Sequence, residues 1–269
     1  MTSNFFKTLA LTAALCGCGS VAFAQKEERG LSCEGNQRWN SDRANHCVMR
    51  EFTLAPGGVI NVDGRTNGGV SVKGWDQASI FVRAQVQTWA NTDDEAKALA
   101  DQVEVETNGG NIRSNGPSTQ GRRGWGVSFE VFVPRHSDLM LKAHNGGISI
   151  REVRGRIEFE TTNGGVNLAR LAGNVRGTTT NGGVTVTLDG NRWDGEGLDV
   201  TTTNGGVKVN MPENYSAQFE TSTVNGGLTF DFPVTVQGKI DRELRTTLGS
   251  GGAPIRVRTT NGGVKLQRQ

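Results

Sequence analysis

The chain has 269 residues, 38 of them glycine, and its 29 basic and 27 acidic residues leave a net charge of +2. Because basic and acidic residues are nearly equal in number, the sequence predicts no extended basic surface for nucleic acid or an anionic membrane. We exclude those partners. The glycine content, about twice the ordinary level and without a collagen-like triplet period, indicates a folded β protein with many tight turns.

The first 24 residues have the composition of an export signal. Lys7 supplies a positive charge, an apolar stretch runs from Leu9 to Leu15, and Ala22-Phe23-Ala24 is a small-x-small cleavage pattern. This stretch is too short to cross a bilayer, which requires about 20 apolar residues. We therefore expect an extracytoplasmic, soluble protein that begins at Gln25 after cleavage near Ala24 and has no transmembrane span.

A second interpretation of the same segment stays open. Leu15-Cys16-Gly17-Cys18 resembles a bacterial lipoprotein box, in which Cys18 would become the first residue and carry a lipid anchor. Cys16 stands where such boxes prefer a small aliphatic or hydroxyl residue. This departure favours the simple export signal.

Two cysteines, Cys33 and Cys47, follow the signal and lie in a segment spanning residues 25–50. In an oxidising compartment such a pair is expected to form a disulfide. Closing a loop of about 15 residues contributes about 3 kcal/mol in the chain-entropy model, which would order a segment with little apolar sequence. Of the histidines, His46 alone lies near these thiols, too few ligands for a structural zinc site.

Residues 51–143 predict an irregular succession of strands interrupted by one helix. Thr92 and Glu95 form a capping box, and apolar residues follow at helical spacing as far as Val103. The pattern predicts a helix over residues 92–103. We expect this helix, together with the disulfide segment, to cover one end of the β structure, because an open end is an aggregation hazard.

The remaining residues, 144–269, contain the most regular part of a repeat. The triplet Asn-Gly-Gly occurs eight times in the whole chain, and it begins at Asn67, Asn108, Asn145, Asn163, Asn181, Asn204, Asn225 and Asn261. Threonines usually precede it and a valine usually follows. Apolar and polar residues alternate on either side, which is the period of a half-buried strand. Each period of roughly 18–23 residues therefore holds two short strands and two turns.

Two all-β architectures fit this unit. An antiparallel meander would use Asn-Gly as a hairpin turn. A β-solenoid would stack the coils about 4.8 Å apart and align the asparagines into a hydrogen-bonded ladder. The ladder would contain Asn145, Asn163, Asn181, Asn204, Asn225 and Asn261. A hairpin accepts Asp-Gly equally well, so the recurrence of asparagine favours the solenoid.

Three details follow from the solenoid. The paired glycines are expected to supply positive φ angles at a sharp corner. The threonines before each triplet are expected to form exposed rows whose role is structural. The gap of 36 residues between Asn225 and Asn261 equals two periods, and Ser250-Gly251-Gly252 is interpreted as a degenerate corner within it.

The TTNGGV strings, the runs RWDGEGLDVTTTNGGVKV and FPVTVQGKI, and the closing IRVRTTNGGVKL resemble a bacterial family of candidate adhesin domains of unknown function. The resemblance covers the chain from about Glu51 to its end. It implies a relation to the head domains of auto-transporter adhesins and hence a right-handed β-helix. It implies no catalytic or binding residues.

Two loops are candidates for ligand contact. Residues 189–199 alternate acidic residues with glycines, as a Ca²⁺ site would, but their spacing differs from the EF-hand order. We prefer a solvated loop in which Trp193 packs onto the sheet, and assign no metal site. In the second loop Arg122 and Arg123 stand beside Trp125, and we predict an exposed contact there.

No catalytic residue and no cofactor are assigned. The three histidines lack metal-binding spacing, and no nucleophile elbow, phosphate loop or dinucleotide motif is present in the sequence. We therefore predict an exported, non-enzymatic adhesin-like or scaffold protein whose partner is an unidentified macromolecule or a cell-envelope glycan. The alternative is an envelope-associated carbohydrate-active enzyme on a β-helix, which would show converging carboxylates in a concave site.

Overall fold

The computed structural model describes residues 30–34, 43–231 and 242–269. The export signal, the cleavage site at Ala24, the lipid-anchor alternative at Cys18 and the run FPVTVQGKI lie outside these ranges. Within them, no helix is long and apolar enough to cross a membrane. The described chain contains twenty strands and one α-helix, which confirms the prediction of an all-β protein with a single short helix.

The helix, α1, spans Asp93–Asp101. The strands in chain order are β1 (Ala44–Leu54), β2 (Val59–Asp63), β3 (Val70–Trp75), β4 (Ile80–Ala90), β5 (Glu104–Glu106), β6 (Asn111–Asn115), β7 (Gly124–Pro134), β8 (Asp138–Ala143), β9 (Ile148–Arg151), β10 (Arg154–Thr161), β11 (Val166–Ala169), β12 (Ala172–Asn181), β13 (Val184–Thr187), β14 (Gly197–Asn204), β15 (Val207–Met211), β16 (Ala217–Asn225), β17 (Leu228–Phe230), β18 (Glu243–Leu248), β19 (Pro254–Asn261) and β20 (Val264–Arg268).

These strands form two ten-stranded sheets that share one apolar core. Sheet A has the order β1-β4-β7-β3-β9-β11-β13-β15-β20-β17, and sheet B has the order β18-β16-β19-β14-β12-β10-β8-β2-β6-β5. Burial alternates along the strands, so that β9 buries Ile148 and Ile150 while β10 buries Ile157 and Phe159. The alternation seen in the sequence therefore marks the inner face of each sheet.

Seven times, a strand of sheet B enters an Asn-Gly-Gly corner and continues as a strand of sheet A. We call each such unit a rung; in stacking order the rungs are β2–β3, β8–β9, β10–β11, β12–β13, β14–β15, β19–β20 and β16–β17. Neighbouring rungs are parallel and in register, with Val166 opposite Val184 and Thr179 opposite Thr202. The antiparallel meander is therefore wrong for the rungs, although β1, β4 and β7 do pair in antiparallel fashion.

The stacking order departs from the chain order at both ends. In sheet A, β7 and β4 lie outside β3, and at the other end β19–β20 inserts between β14–β15 and the earlier β16–β17. The prediction that residues 225–261 form two further periods is therefore wrong. Instead β18 runs antiparallel to β16, and the turn at Ser250-Gly251-Gly252 leads back into β19.

A row of alternating charges on the outer face of sheet B accounts for this insertion. Adjacent strands place, in order, Glu158, Arg176, Asp199, Arg256, Glu220 and Arg245 opposite one another. Arg256 Nε lies 3.3 Å from Glu220 Oε2. If β16 followed β14 directly with the asparagines aligned, Glu220 would lie opposite Asp199. Like charges in that position destabilise a strand pair.

We expect Arg256→Glu to lower the free energy of unfolding by about 1–2 kcal/mol, because three acidic side chains would then occupy neighbouring strands. Arg256 is 42% exposed, so loss of its attraction alone is small, and Arg256→Gln should cost less than about 0.5 kcal/mol. Urea denaturation at low and high salt measures both variants. Equal losses for the two substitutions, or a Glu variant insensitive to salt, would contradict a role for charge repulsion.

The other end of the stack carries the helix and the disulfide. Thr92 accepts a hydrogen bond from the Glu95 backbone N–H at 3.3 Å and so caps α1, which packs against β1 and β4 and buries Ala96, Leu99 and Ala100. The helix ends two residues before the predicted boundary at 103. Cys33 and Cys47 form the predicted disulfide, with their α-carbons 5.7 Å apart. It fastens residues 30–34 beside β1.

Candidate functional site

The asparagines of the seven rungs form a continuous hydrogen-bonded row, which we call the amide ladder. Each Nδ2 donates to the Oδ1 of the next residue in the series Asn225, Asn261, Asn204, Asn181, Asn163, Asn145 and Asn67. The ladder includes all six predicted members and also Asn67. The Asn-Gly-Gly triplet at Asn67 could have predicted this seventh member, although 78 residues separate Asn67 from Asn145. Asn108 lies in a 3-10 turn, Asn108–Gly110, away from the ladder.

All donors of the amide ladder point the same way along the stack. The bonds measure 2.7 to 2.9 Å from Asn225 to Asn145, then 3.2 Å from Asn145 to Asn67. Asn67 Nδ2 finally donates to the Trp125 carbonyl at 3.4 Å. The ladder is therefore loosest at its Asn67 end, and the asparagines are exposed throughout.

The first glycine of each rung corner is required by close backbone contact with the neighbouring strand. A methyl group built on Gly182 would lie 2.0 Å from the Gly164 carbonyl oxygen, and one on Gly164 would lie 2.1 Å from the Gly146 oxygen. Neither has a φ in the left-handed region. The predicted reason for the glycines, a positive φ, is therefore wrong at the rung corners, although it does apply to the Asn108 triplet, where Gly109 and Gly110 have φ of 59° and 78°. At the rung corners the cause is steric, because a carbonyl of the neighbouring strand occupies the place of a side chain.

In five of the seven rungs the residue two places before the asparagine is a buried threonine, which corrects the prediction of uniformly exposed threonine rows. Each donates its hydroxyl to the first-glycine carbonyl of the neighbouring rung; these bonds join Thr161 to Gly146, Thr179 to Gly164, Thr202 to Gly182, Thr259 to Gly205 and Thr223 to Gly262, at 2.7 to 2.9 Å. The threonine directly before the asparagine, such as Thr203, faces outward. The sequence did contain a signal for this burial, because the threonine two residues before the asparagine is in phase with the inward-facing apolar residues of its strand.

Gly182→Ala should lower the free energy of unfolding by about 2–3 kcal/mol, because the new methyl group overlaps the Gly164 carbonyl. Gly183→Ala is the matched control. A methyl group at Gly183 would meet its nearest atom, the Gly206 carbonyl oxygen, at 3.4 Å, so its effect should stay within about 1 kcal/mol. Thermal and urea unfolding measure both variants. Similar losses at the two positions would refute the steric account.

Thr202→Val keeps the side-chain shape but leaves the Gly182 carbonyl without its hydroxyl donor. We expect a loss of about 1 kcal/mol in unfolding free energy. Thr203→Val, on the exposed face, should change stability by less than about 0.5 kcal/mol. Denaturant titration of both variants gives the difference, and a Thr202→Val protein as stable as the unchanged chain would show that the buried hydroxyl is dispensable.

A cleft of about 630 Å³ lies at the loose end of the amide ladder. Its floor is made by glycines of the first rungs and of β7, and Asn67 and Asn145 stand at its edge. The opposite wall comes from β1 and β4. The residues of that wall are Arg43, Asn45, His46, Cys47, Gln87, Thr88 and Trp89. The cleft thus forms where the long antiparallel strands meet the repeat.

The indole of Trp89 is held in place by a glycine on the next strand. Trp89 lies opposite Gly124, and a methyl group on Gly124 would approach the Trp89 ring to 2.3 Å. The described lining residues include the cation Arg43 and also His46, but no aspartate or glutamate. The cleft therefore combines an aromatic wall, amide groups and a positive charge.

The predicted contact loop does not present its aromatic residue to solvent. Arg122 and Arg123 are exposed, but Trp125 is half-buried, packs against the core and donates its indole N–H to the Pro117 carbonyl at 2.9 Å. Trp125 therefore serves packing, and charge and aromatic surface are not combined as predicted.

Loop 189–199 holds its carboxylates apart. Asp194 pairs with Arg154 and Asp199 pairs with Arg258, each at 2.5 Å. Trp193 is 6% exposed and donates to the Gly173 carbonyl, as the preferred interpretation requires. Within the described residues, no group of three or more histidine, cysteine or acidic side chains is placed to hold a metal ion.

A charged cluster links the rungs at the corner opposite the amide ladder. Arg135 contacts Asp76 at 2.6 Å and Glu152 at 3.2 Å, and Arg170 contacts Glu152 at 2.5 Å. The hydrogen bond from Arg170 is the main cause of the lowered pKa of Glu152, and that from Arg135 lowers the pKa of Asp76. Both acids are therefore held ionised as structural partners of the arginines. Elsewhere, burial raises the pKa of Tyr215.

The parallel rungs, the shared core and the amide ladder define an all-β repeat protein with two open sheets. The chain belongs to the Toastrack DUF4097 family, whose model matches residues 60–267. This family is a domain of unknown function. No curated protein matches the chain.

Three solved structures are similar to this chain at low sequence identity. A candidate cell adhesion protein from Clostridium sporogenes ATCC 15579 is 8% identical, with 83% of this chain and 100% of that chain covered and a TM-score of 0.47. A candidate adhesin from Bacteroides fragilis NCTC 9343 is 9% identical, with 82% and 97% covered and a TM-score of 0.34. A candidate lipid binding protein from Parabacteroides distasonis ATCC 8503 is 12% identical, with 81% and 96% covered and a TM-score of 0.37.

Proposed function

We propose that this protein is an exported, non-enzymatic β-solenoid that binds a macromolecule or glycan of the cell envelope, as an adhesin or scaffold. The observation that carries the proposal is the amide ladder, an exposed row of identical groups along seven rungs. A rigid row of this kind favours many weak contacts with a repetitive partner, whose strengths combine by avidity. We expect the stack to be right-handed, with coils of 18–23 residues, as the resemblance to auto-transporter adhesin heads implies.

Export is supported by the disulfide between Cys33 and Cys47, because such bonds persist in oxidising compartments. The proposed organisation is a signal over residues 1–24, a disulfide-closed segment over 25–50, an irregular part over 51–143 and a regular part over 144–269. A free N-terminus at Gln25 and a lipid anchor at Cys18 are distinguished by mass spectrometry of the exported protein.

The ion pairs of the acidic side chains favour a binding role over carbohydrate hydrolysis. Hydrolysis uses two carboxylates that face one another across a bond. Instead, Asp194, Asp199 and Glu220 are each paired with an arginine, namely Arg154, Arg258 and Arg256. These acids stabilise the stack.

The proposal is tested by cosedimentation of the full chain, expressed with its own first 24 residues, with isolated bacterial cell envelopes. Thr180→Lys with Thr203→Lys places two bulky charges beside the ladder at exposed positions. We expect this variant to lose most of its envelope binding, because the flat row is interrupted.

The control is Met140→Lys with Gln218→Lys, which adds the same charge at exposed positions of sheet B away from the ladder. It should bind as the unchanged chain does. An unchanged chain that stays in the supernatant would refute envelope binding. Equal binding by the two variants would show that the ladder face is not the contact surface.

A further inference from the structure

We propose that the cleft at the Asn67 end of the amide ladder binds an acidic saccharide, that is, a sugar ring that carries a carboxylate. This inference rests on the proposed function, because it names the ligand class of an envelope-binding protein. The volume of about 630 Å³ lies within the range of about 300–1,000 Å³ typical of small-ligand sites.

The amide ladder itself supplies the first argument for a ligand rich in acceptor oxygens. Each amide of the ladder donates toward the cleft, and chains of hydrogen bonds polarise one another, so the terminal donor is strengthened. That donor is Asn67 Nδ2, whose protein acceptor, the Trp125 carbonyl, lies at 3.4 Å and is poorly placed. A ligand oxygen at the cleft would give Asn67 a shorter bond.

The charge of the lining is the second argument. Arg43 and His46 line the cleft, and the described lining residues include no acidic side chain. A guanidinium recognises a carboxylate through two parallel hydrogen bonds, which are stronger than bonds between neutral groups. The amides of Asn45, Gln87 and Asn145 each donate one hydrogen bond within the protein, to the Arg43 carbonyl, Gln85 Oε1 and Asn67 Oδ1. An amide carries two hydrogens and its oxygen two lone pairs, so each of them can still bond a sugar hydroxyl.

The third argument is the aromatic wall over a floor without side chains. Trp89 is positioned by its contact with Gly124, so its ring is available as a rigid platform for the C–H face of a sugar. Gly68, Gly69 and Gly126 form the floor, where a ligand reaches the backbone directly. A methyl group on Gly126 would lie 2.1 Å from the Asn67 carbonyl oxygen, so a side chain at this position would displace Asn67.

The disulfide holds one wall of the cleft. Cys47 lines it and is bonded to Cys33, and Gln85 Nε2 of β4 donates to the Ser32 carbonyl. Residues 30–34 are thereby fastened beside β1, which carries Asn45 and directly follows Arg43. Loss of this bond should loosen the wall and weaken the site.

The inference is tested by isothermal titration of the full chain with tetragalacturonate, and with cellotetraose as its neutral counterpart. We expect tetragalacturonate to bind, and cellotetraose to bind at least about tenfold more weakly, since a hydrogen-bonded charge contributes that much. Binding should weaken with added salt. No heat with tetragalacturonate, or equal affinity for the two sugars, would overturn the proposal.

Two variants assign the binding to the cleft. Arg43→Gln and Trp89→Phe should each lower the affinity for tetragalacturonate about tenfold or more. Arg245→Gln and Trp75→Phe change the same residue types outside the cleft and should leave it unchanged. Cys33→Ser should also weaken binding, while thermal melting checks that every variant is folded. Unaltered affinity in both Arg43→Gln and Trp89→Phe would place the ligand elsewhere and refute the cleft.

The two proposals fail separately. Envelope binding that persists while tetragalacturonate does not bind would refute the saccharide cleft and leave the ladder face as the contact surface. Tetragalacturonate binding without cosedimentation would retain the cleft and refute the envelope scaffold.

Discussion

The stack depends on the close approach of each rung to the first-glycine carbonyl of its neighbour. Two groups of one rung converge on that oxygen. The Gly164 carbonyl receives the Thr179 hydroxyl at 2.9 Å, and Gly182 approaches it so closely that a methyl group would lie 2.0 Å away. Threonine, asparagine and glycine in this motif therefore act together at the same contact between rungs. Threonine satisfies the carbonyl from the core side, glycine provides the space, and asparagine joins the outer edge.

Much of this arrangement could be predicted from the sequence, because its signals are local. Alternation around each triplet marks the inner faces, and the recurrence of asparagine predicts the ladder. The reason for the glycines could not be found in the same way. A positive φ and a close carbonyl both demand glycine, and only the position of Gly164 relative to Gly182 distinguishes them. To predict the burial of Thr202, one must likewise know which residues face the neighbouring rung.

The order of the rungs was harder to predict, because it is set by contacts between residues far apart in the chain. A gap of 36 residues between Asn225 and Asn261 fits two added periods as well as it fits a return through an antiparallel strand. The charges distinguish the two. Asp199, Arg256 and Glu220 alternate only when β19 lies between β14 and β16. The position of a strand that pairs out of chain order is thus specified by charges on its outer face. The apolar pattern carries no information about that position.

The direction of the amide ladder connects this architecture to recognition. Identical rungs that are stacked in parallel orient their amides in the same direction. The ladder therefore ends in an amide donor on one side and in an amide acceptor on the other. The repeat cannot satisfy the last donor from within itself. At the Asn67 end the chain has added long antiparallel strands, a helix and a disulfide, and these leave a cleft instead of closing over Asn67. The N-terminal part therefore does more than cover the core, since it forms a cleft beside the ladder donor whose bond is longest.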